Sequence, residues 1–174
     1  AAYAVVSYQT AWLKYYYPVE FMAALMTSVI DNPGKVSEYI YSCRQMGIKI
    51  LPPDINKGEG SFSVDSGNIR YGLAAIKSIG KPVIESIIKE RKNGGPFSNL
   101  KDFIERLSGK EVNKRTIESF IKSGAFDSLG GTRKQFMVVY VQILDQVNHK
   151  TYRLKLSFLT ERFYRLQHRD QMKI

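Results

Sequence analysis

The sequence predicts a mainly α-helical protein with one small β-hairpin. Apolar residues recur at helical spacing along most of the chain, and proline, glycine and asparagine interrupt the spacing where helices should begin or end. Clear alternation is confined to residues 61–71, where two short runs flank Asp65, Ser66 and Gly67. Such a ribbon is marginal by itself, so we expect it to pack on the helices.

Three helices are predicted before residue 48. The first covers residues 1–17, the second starts at Pro18, and the third runs from about Lys35 to a left-handed cap at Gly47. The apolar spacing predicts these inward residues: Val5, Tyr8, Trp12 and Tyr15 or Tyr16; Phe21, Leu25 and Val29; and Val36, Tyr39 or Ile40, Cys43 and Met46. We expect core packing rather than base stacking for residues 12–17, and a buried, unreactive thiol at Cys43.

A tight connection around Gly80 joins two predicted helices at residues 72–79 and 82–91, after extended residues 48–51. Pro82 suits the first turn of the second helix. The backbone N–H groups of Ile79, Gly80 and Lys81 then face outward at the positive end of that helix, with Lys77 and Lys81 adding charge. This pattern is typical of a helix-hairpin-helix element, which binds a nucleic-acid backbone without reading its bases. A packing unit without a ligand is the alternative.

Ser78 occupies a position where a helix-hairpin-helix usually has glycine. Its hydroxyl can donate a hydrogen bond to a phosphate, whereas glycine would allow a closer approach of the backbone.

A second, looser hairpin is predicted further along the chain. Ser98 should cap a helix that ends near Leu107, Asn113 a helix that ends at Gly124, and Thr132 a long helix that ends near Asn148. The residues at the start of the long helix form a second candidate phosphate site: Gly130, Gly131, Thr132, Arg133 and Lys134. Asp127 would oppose an anion there, so a repeat that only buttresses the first hairpin is the alternative.

The segment after His149 breaks the helical pattern. Apolar residues alternate with polar ones between Tyr152 and Phe158, as in a strand, and residues 160–174 resemble a frayed basic helix.

Positive charge is concentrated in the second half of the chain. The net charge is +10, and residues 77–134 contain 13 Lys and Arg against seven Asp and Glu. Residues 133–174 contain nine against three, which leaves the first 76 residues close to neutral. This distribution indicates a polyanionic partner for the hairpins and the tail. With one cysteine and no signal or membrane-spanning pattern, we expect a cytoplasmic protein without a disulfide or membrane partner.

Several segments together resemble, in order, the bacterial replicative DNA polymerase III alpha subunit family. They are residues 1–14, 17–25, 43–56, 69–77, 95–97, 112–115 and 123–130. The resemblance covers about residues 1–147. It implies that residues 1–47 are the C-terminal part of a fingers region and that residues 48–147 are a tandem helix-hairpin-helix region. Residues 148–174 form an atypical basic tail, for which we hypothesise a truncated or frameshifted reading frame; an in-frame gene encoding a folded segment would contradict this.

The resemblance implies a fragment of a DNA-directed DNA polymerase. Family chemistry uses two Mg²⁺ ions held by palm carboxylates, but no two aspartates here have Asp-x-Asp spacing. We therefore expect no catalytic residue, metal site or cofactor in this chain, and no activity alone. Gln9 and Lys14 would line the nucleotide side of the fingers. Implied partners are duplex primer-template DNA, the rest of the polymerase chain and its replication holoenzyme.

Two other functions remain open from the sequence. One is a free-standing helix-hairpin-helix accessory protein, although the chain starts inside a predicted helix. The other is a membrane-surface or scaffold role for the tail, which vesicle binding lost on deletion of residues 149–174 would support.

Overall fold

A computed structural model describes residues 2–108 and 112–171, and these residues are mainly α-helical, as predicted. The described residues form these α-helices: α1 (Ala2–Tyr16), α2 (Pro18–Ser28), α3 (Pro33–Gln45), α4 (Lys81–Gly94), α5 (Leu100–Arg106), α6 (Lys114–Ser123) and α7 (Arg133–Gln171). Three short strands, β1 (Ile50–Leu51), β2 (Ser63–Asp65) and β3 (Asn68–Arg70), lie between α3 and α4.

Local sequence signals set most helix starts. Asn32 and Asn113 each accept a hydrogen bond from the backbone N–H three residues later, at 3.2 and 3.0 Å. The predicted cap at Ser98 is wrong, because Asn99 caps α5 by accepting from the N–H of Asp102 at 2.9 Å. Ser98 instead donates its N–H to the Asp102 carboxylate at 3.0 Å. Asn99 therefore satisfies a backbone donor of the first turn, and the Asp102 carboxylate of that turn in return accepts from Ser98.

The predicted end of the last helix near Asn148 is wrong, and so is the predicted strand between Tyr152 and Phe158. Helix α7 continues to Gln171. The physical reason is that the chain contains no glycine or proline after Gly131, so nothing in the backbone stops a helix once it has started. The expected basic helix at residues 160–174 falls within α7 up to Gln171, and residues 172–174 lie outside the described part.

The predicted β-hairpin is confirmed, and a third strand extends it. The strand order is β1-β3-β2, with β1 parallel and β2 antiparallel to the central strand. Ile69 of β3 pairs with Ile50 on one side and Val64 on the other. The backbone N–H of Phe62 donates to the Thr27 hydroxyl of α2 at 3.2 Å, which ties the sheet to the first helices.

Two hydrophobic clusters form the core. The smaller one joins α2, α3 and the sheet, and it includes residues on both sides of position 47: Met22, Ala23, Met26, Val36, Cys43, Ile48, Phe62 and Ile69. Cys43 is fully buried as predicted, and burial raises the pKa of its thiol. On α2 the buried residues are Met22, Ala23 and Met26, whereas the predicted Phe21, Leu25 and Val29 are half-buried. The stripe is shifted because the sheet and α3 cover the neighbouring side.

The larger cluster holds the second half of the chain together. Its members come from the loop at Ile55, the turn at Leu73, helices α4, α5, α6 and α7, and the segments between these helices. Its phenylalanine rings meet mostly edge to face: Phe97, Phe103, Phe120, Phe126 and Phe136. Because α4 and α6 share this cluster, the surfaces that they expose keep a fixed relation to each other.

Helix α1 contradicts the predicted core packing of its aromatic face. Trp12 is 42% exposed and Tyr8 is 71% exposed. The rings contact one another instead, with Trp12 centred 4.9 Å from Tyr16 and 5.7 Å from Tyr17. The spacing correctly predicts a helix with an aromatic face, but no described residue covers that face. None of the described helices is long and apolar enough to cross a membrane.

Candidate nucleic-acid interface

The first hairpin begins with a 3₁₀ turn rather than the α-helix predicted at residues 72–79. The turn covers Leu73–Ala75, and Ile76 after it is extended. Gly72 is the physical reason, because its backbone is extended and lies against the preceding loop. A Cβ added there would sit 2.7 Å from the Ser61 carbonyl carbon. An α-helix starting at Gly72 would lose this contact, so the chain makes one tight turn and then enters α4.

The connection to α4 turns through a left-handed residue at Ser78. Its φ is 72°, a conformation that costs a side chain with a Cβ about 1–2 kcal/mol and costs glycine little. This geometry accounts for the glycine usual at this position in a helix-hairpin-helix. The Ser78 hydroxyl accepts a hydrogen bond from Nη2 of Arg115 at 3.1 Å. The oxygen accepts from Arg115, and its own O–H remains a donor.

The predicted phosphate site lies at the N-terminus of α4. The N–H of Ile79 donates to the Ile76 carbonyl at 3.3 Å, so one of the three predicted donors is used inside the turn. The N–H groups of Gly80 and Lys81 have no acceptor among residues 2–108 and 112–171. Lys77 and Lys81 are exposed and form no ion pair within the same residues. Two backbone donors and two ammonium groups therefore remain for an anion.

The second hairpin uses most of its polar groups internally. Thr132 donates its N–H to Oε1 of Gln135 at 2.9 Å and its hydroxyl accepts from the Gln135 N–H at 3.2 Å, a reciprocal cap that confirms Thr132 as the helix start. Gly130 has a φ of 80°. Gly131 packs against the Phe136 ring, which a Cβ would approach to 2.6 Å.

Arg133 is held by the acidic residue of the second hairpin. Its Nε and Nη2 donate to the two Asp127 carboxylate oxygens at 3.0 and 2.6 Å. The guanidinium holds the pKa of Asp127 below its ordinary value. Lys134, by contrast, is exposed and forms no ion pair with any described residue. Of the five predicted residues at this hairpin, Lys134 is the one whose charge is not already satisfied.

Arg115 and a groove between the first hairpin and α6 were not among the features predicted from the sequence. Arg115 is exposed in the first turn of α6 and contacts the first hairpin through Ser78. A groove of about 500 Å³ lies between the hairpin and α6, lined in part by Lys77, Ser119 and Lys122. The spacing of Arg115, Ser119 and Lys122, four and then three residues apart, is the signal that would have placed them on one helix face.

Three arginines that contribute to the net charge are structural. Arg70 pairs with Asp65 at 2.5 Å and donates to the Pro52 carbonyl at 2.9 Å. Arg91 donates to the Gly58 carbonyl at 2.7 Å and pairs with a carboxylate at the same distance. These guanidinium groups close the loops before α4 and are mostly buried. The positive charge that an anion can reach is therefore smaller than the net charge of the chain indicates.

Arg106 is the third structural arginine. It donates to the Glu90 and Gly95 carbonyls and lies 4.3 Å from the centre of the Phe97 ring. It thus joins the end of α4 to α5 and offers little charge to a ligand.

Gln9 and Lys14 lie on α1, away from these contacts in sequence. Both are exposed, and neither side chain makes a hydrogen bond or an ion pair with a described residue. Gln9 lines a groove of about 400 Å³ with Tyr8, Trp12 and Leu13. Among the residues that the structure describes, no three His, Cys, Asp or Glu side chains come together, so these residues do not fit a metal site.

Comparison with known proteins identifies the family. A family model described as a helix-hairpin-helix motif matches residues 47–136. DNA polymerase III subunit alpha of Pasteurella multocida is 53% identical over 134 residues, covering 76% of this chain and 12% of the relative. The same subunit of Escherichia coli (strain K12) is 53% identical over 138 residues, covering 79% and 12%. That of Neisseria meningitidis is 44% identical over 151 residues, covering 86% and 13%.

The chain spans about 12% of the length of the first two relatives. The order of motifs, the left-handed turn before α4 and the matched segment 47–136 agree with one another. The chain therefore belongs to the DNA polymerase III subunit alpha family, as a fragment that contains its helix-hairpin-helix segment.

Proposed function

We propose that this part of a DNA-binding replicative polymerase binds duplex DNA without sequence preference, through phosphate contacts at the first hairpin. The observation that supports it is the N-terminus of α4. There the N–H groups of Gly80 and Lys81 have no acceptor among the described residues, and the exposed ammonium groups of Lys77 and Lys81 flank them. Free N–H donors at a helix N-terminus next to positive charge suit a phosphate.

The same geometry supports binding that is independent of sequence. Backbone N–H groups and lysine ammonium groups contact phosphate oxygens, which are identical at every step of the duplex. We propose primer-template DNA as the duplex, in the cytoplasm, held together with the rest of the polymerase chain and its replication holoenzyme. The exposed aromatic face of α1, with Gln9 and Lys14, would face that larger assembly. Nucleotidyl transfer and its Mg²⁺ ions would belong to the palm.

The second hairpin is a weaker candidate for DNA contact. Arg133 would have to leave Asp127 before it could bind a phosphate, and the Thr132 N–H would have to leave Gln135. We propose that Lys134 supplies at most an additional contact. The main role of the second hairpin is then to close the core around Phe126 and Phe136.

The test is binding of the chain to duplex DNA across a salt series, compared with a Lys77→Glu/Lys81→Glu variant. Each neutralised phosphate adds about −0.9 to the slope of log affinity against log salt concentration. We expect a steep slope for the unmodified chain and a weaker, flatter dependence for the variant. Duplexes of unrelated sequence should bind with similar affinity.

A matched control variant has the same change of charge at a place away from the hairpin. Lys35→Glu/Arg44→Glu, on α3, also reverses two exposed charges. If both double variants lose affinity equally, the effect is one of overall charge and not of the hairpin. Unchanged binding of the Lys77→Glu/Lys81→Glu variant would contradict the proposed site and move the contact to the second hairpin or the tail.

A further inference from the structure

We propose that α6 forms a second row of phosphate contacts, in which Arg115 and Lys122 bind further phosphates of the strand held by the first hairpin. This inference rests on the proposed function, because it extends the same DNA path across the groove. The ligand is the sugar-phosphate backbone of one strand, and the groove between the hairpin and α6 is its track.

Arg115 is tied to the hairpin and still has donors to spare. Its Nη2 donates to the Ser78 hydroxyl at 3.1 Å, although the two residues are 37 positions apart in sequence. A guanidinium carries five N–H donors in a planar fork that fits a phosphate. Within the described residues no carboxylate pairs with Arg115, so its charge is available beside the Ser78 turn. A cation held there with no acidic partner in the described part of the chain favours an anionic ligand.

The orientation of α6 is fixed by its opposite face. Ile117, Phe120 and Ile121 are buried in the larger cluster and leave the other side of the helix to the surface. Arg115 and Lys122 are seven residues apart, about 10 Å along a helix axis. A single phosphate group spans much less than this, so the two side chains are too far apart along the helix to share one phosphate. The two cations therefore suit different phosphates of one strand.

The groove between the two elements carries cationic and hydroxyl side chains along part of a lining that elsewhere is apolar, with Pro53, Ala75 and Ile76. Its lining includes two cations, Lys77 from the hairpin and Lys122 from α6, and the hydroxyl residues Ser119 and Ser123. No lining residue has a carboxylate. Lys122 does pair with Glu118 at 3.1 Å, but its side chain is 65% exposed. Exposed pairs of this kind contribute little, so Lys122 can exchange its partner for a phosphate at small cost.

The experiment compares single alanine variants in the full 174-residue chain by fluorescence anisotropy with labelled duplex DNA across a salt series. Arg115→Ala and Lys122→Ala are the test variants. Lys114→Ala is the matched control, because Lys114 precedes Arg115 on the same helix but is directed toward α7, where its Nζ lies 3.7 Å from the Asp145 carboxylate. All three changes remove one exposed positive charge and leave the core intact.

We expect each test variant to lose about 0.9 from the magnitude of the salt slope, and the control to leave the slope unchanged. A slope change of that size corresponds to an affinity about 8-fold lower at 0.1 M salt, taking 1 M as the reference where the ionic contribution vanishes. Arg115→Lys keeps the charge and should keep most of the slope. Equal melting temperatures of the variants would show that folding is not the cause.

The outcomes separate this inference from the proposed function. If Arg115→Ala and Lys122→Ala behave like Lys114→Ala while Lys77→Glu/Lys81→Glu still loses binding, the α6 contacts are refuted and the hairpin site stands. If the hairpin variant binds normally and the α6 variants do not, the hairpin site is refuted. A lower affinity with an unchanged slope for Arg115→Ala would also overturn the inference, since no phosphate contact would have been lost.

Discussion

The left-handed backbone at Ser78 predicts an unusual order of stabilities among substitutions at that position. Its φ of 72° is costly for any residue with a Cβ. Ser78→Ala and Ser78→Gly both remove the hydroxyl that accepts from Arg115. The two variants therefore differ only in the Cβ, so their difference in free energy of unfolding is the backbone strain less the extra entropy that glycine loses on folding.

The expected magnitude follows from two opposing contributions. A Cβ in the left-handed region costs about 1–2 kcal/mol, and glycine loses about 0.5–1 kcal/mol through the greater freedom of its unfolded chain. The central values of these contributions differ by about 0.75 kcal/mol, so the glycine variant should be more stable than the alanine variant by roughly that amount. For a chain of this size, that difference corresponds to a melting temperature higher by about 1–4 °C.

Alanine and glycine variants at two other serines show which order of stability to expect with and without a left-handed backbone. Ser37 lies in the interior of α3, where glycine should be less stable than alanine by about 1 kcal/mol. Ser66 has a φ of 54° in the β-hairpin turn, so its pair should follow the order expected at Ser78. Thermal unfolding followed by circular dichroism measures all six variants. If the Ser78 pair follows Ser37 while the Ser66 pair favours glycine, the left-handed turn before α4 does not exist as described.

Two further predictions concern the second hairpin and α1. Asp127→Asn should lower stability at about pH 7 by about 0.2–1 kcal/mol, the usual value of an exposed ion pair. Because Arg133 lowers the pKa of Asp127, this contribution to stability exists above the unfolded pKa of Asp127 and disappears as pH falls through the folded pKa. Urea unfolding of both proteins at several pH values measures it. A loss of stability in the variant that persisted in acid would contradict the prediction. The fluorescence of Trp12, the one tryptophan, should be quenched readily by acrylamide in the folded chain; strong protection would contradict its exposure.

The sequence predicted the helices best where a local signal acted alone. Asn113, Thr132 and Gly124 set the ends of α6 and the start of α7 as expected, because capping depends on a few neighbouring residues. The prediction for the end of α7 was wrong because a local pattern was followed there too. Alternating apolar residues after Tyr152 indicated a strand, but the absence of glycine and proline allowed the helix to continue.

Other features depended on contacts that sequence spacing does not contain. The turn at Gly72 is set by its close approach to Ser61, which precedes it by a whole β-hairpin. The predicted first half of the hairpin was wrong for that reason, although Gly80, Lys77 and Lys81 were placed correctly at the turn into α4. Arg115 joined the site only through tertiary packing of α6, and no local pattern links it to Ser78.

The distribution of ion pairs bears on the DNA-binding surface that we propose for this moderately basic chain. Three arginines form contacts that hold loops in place: Arg70, Arg91 and Arg106. Arg133 forms an ion pair with Asp127. The unpaired cations of the described residues that remain near the first hairpin come from two different elements, a turn and a helix. A duplex contacted from both elements is held in orientation as well as in place, since a single turn would leave it free to pivot. This is the physical reason to look for contacts on α6 as well as at the hairpin.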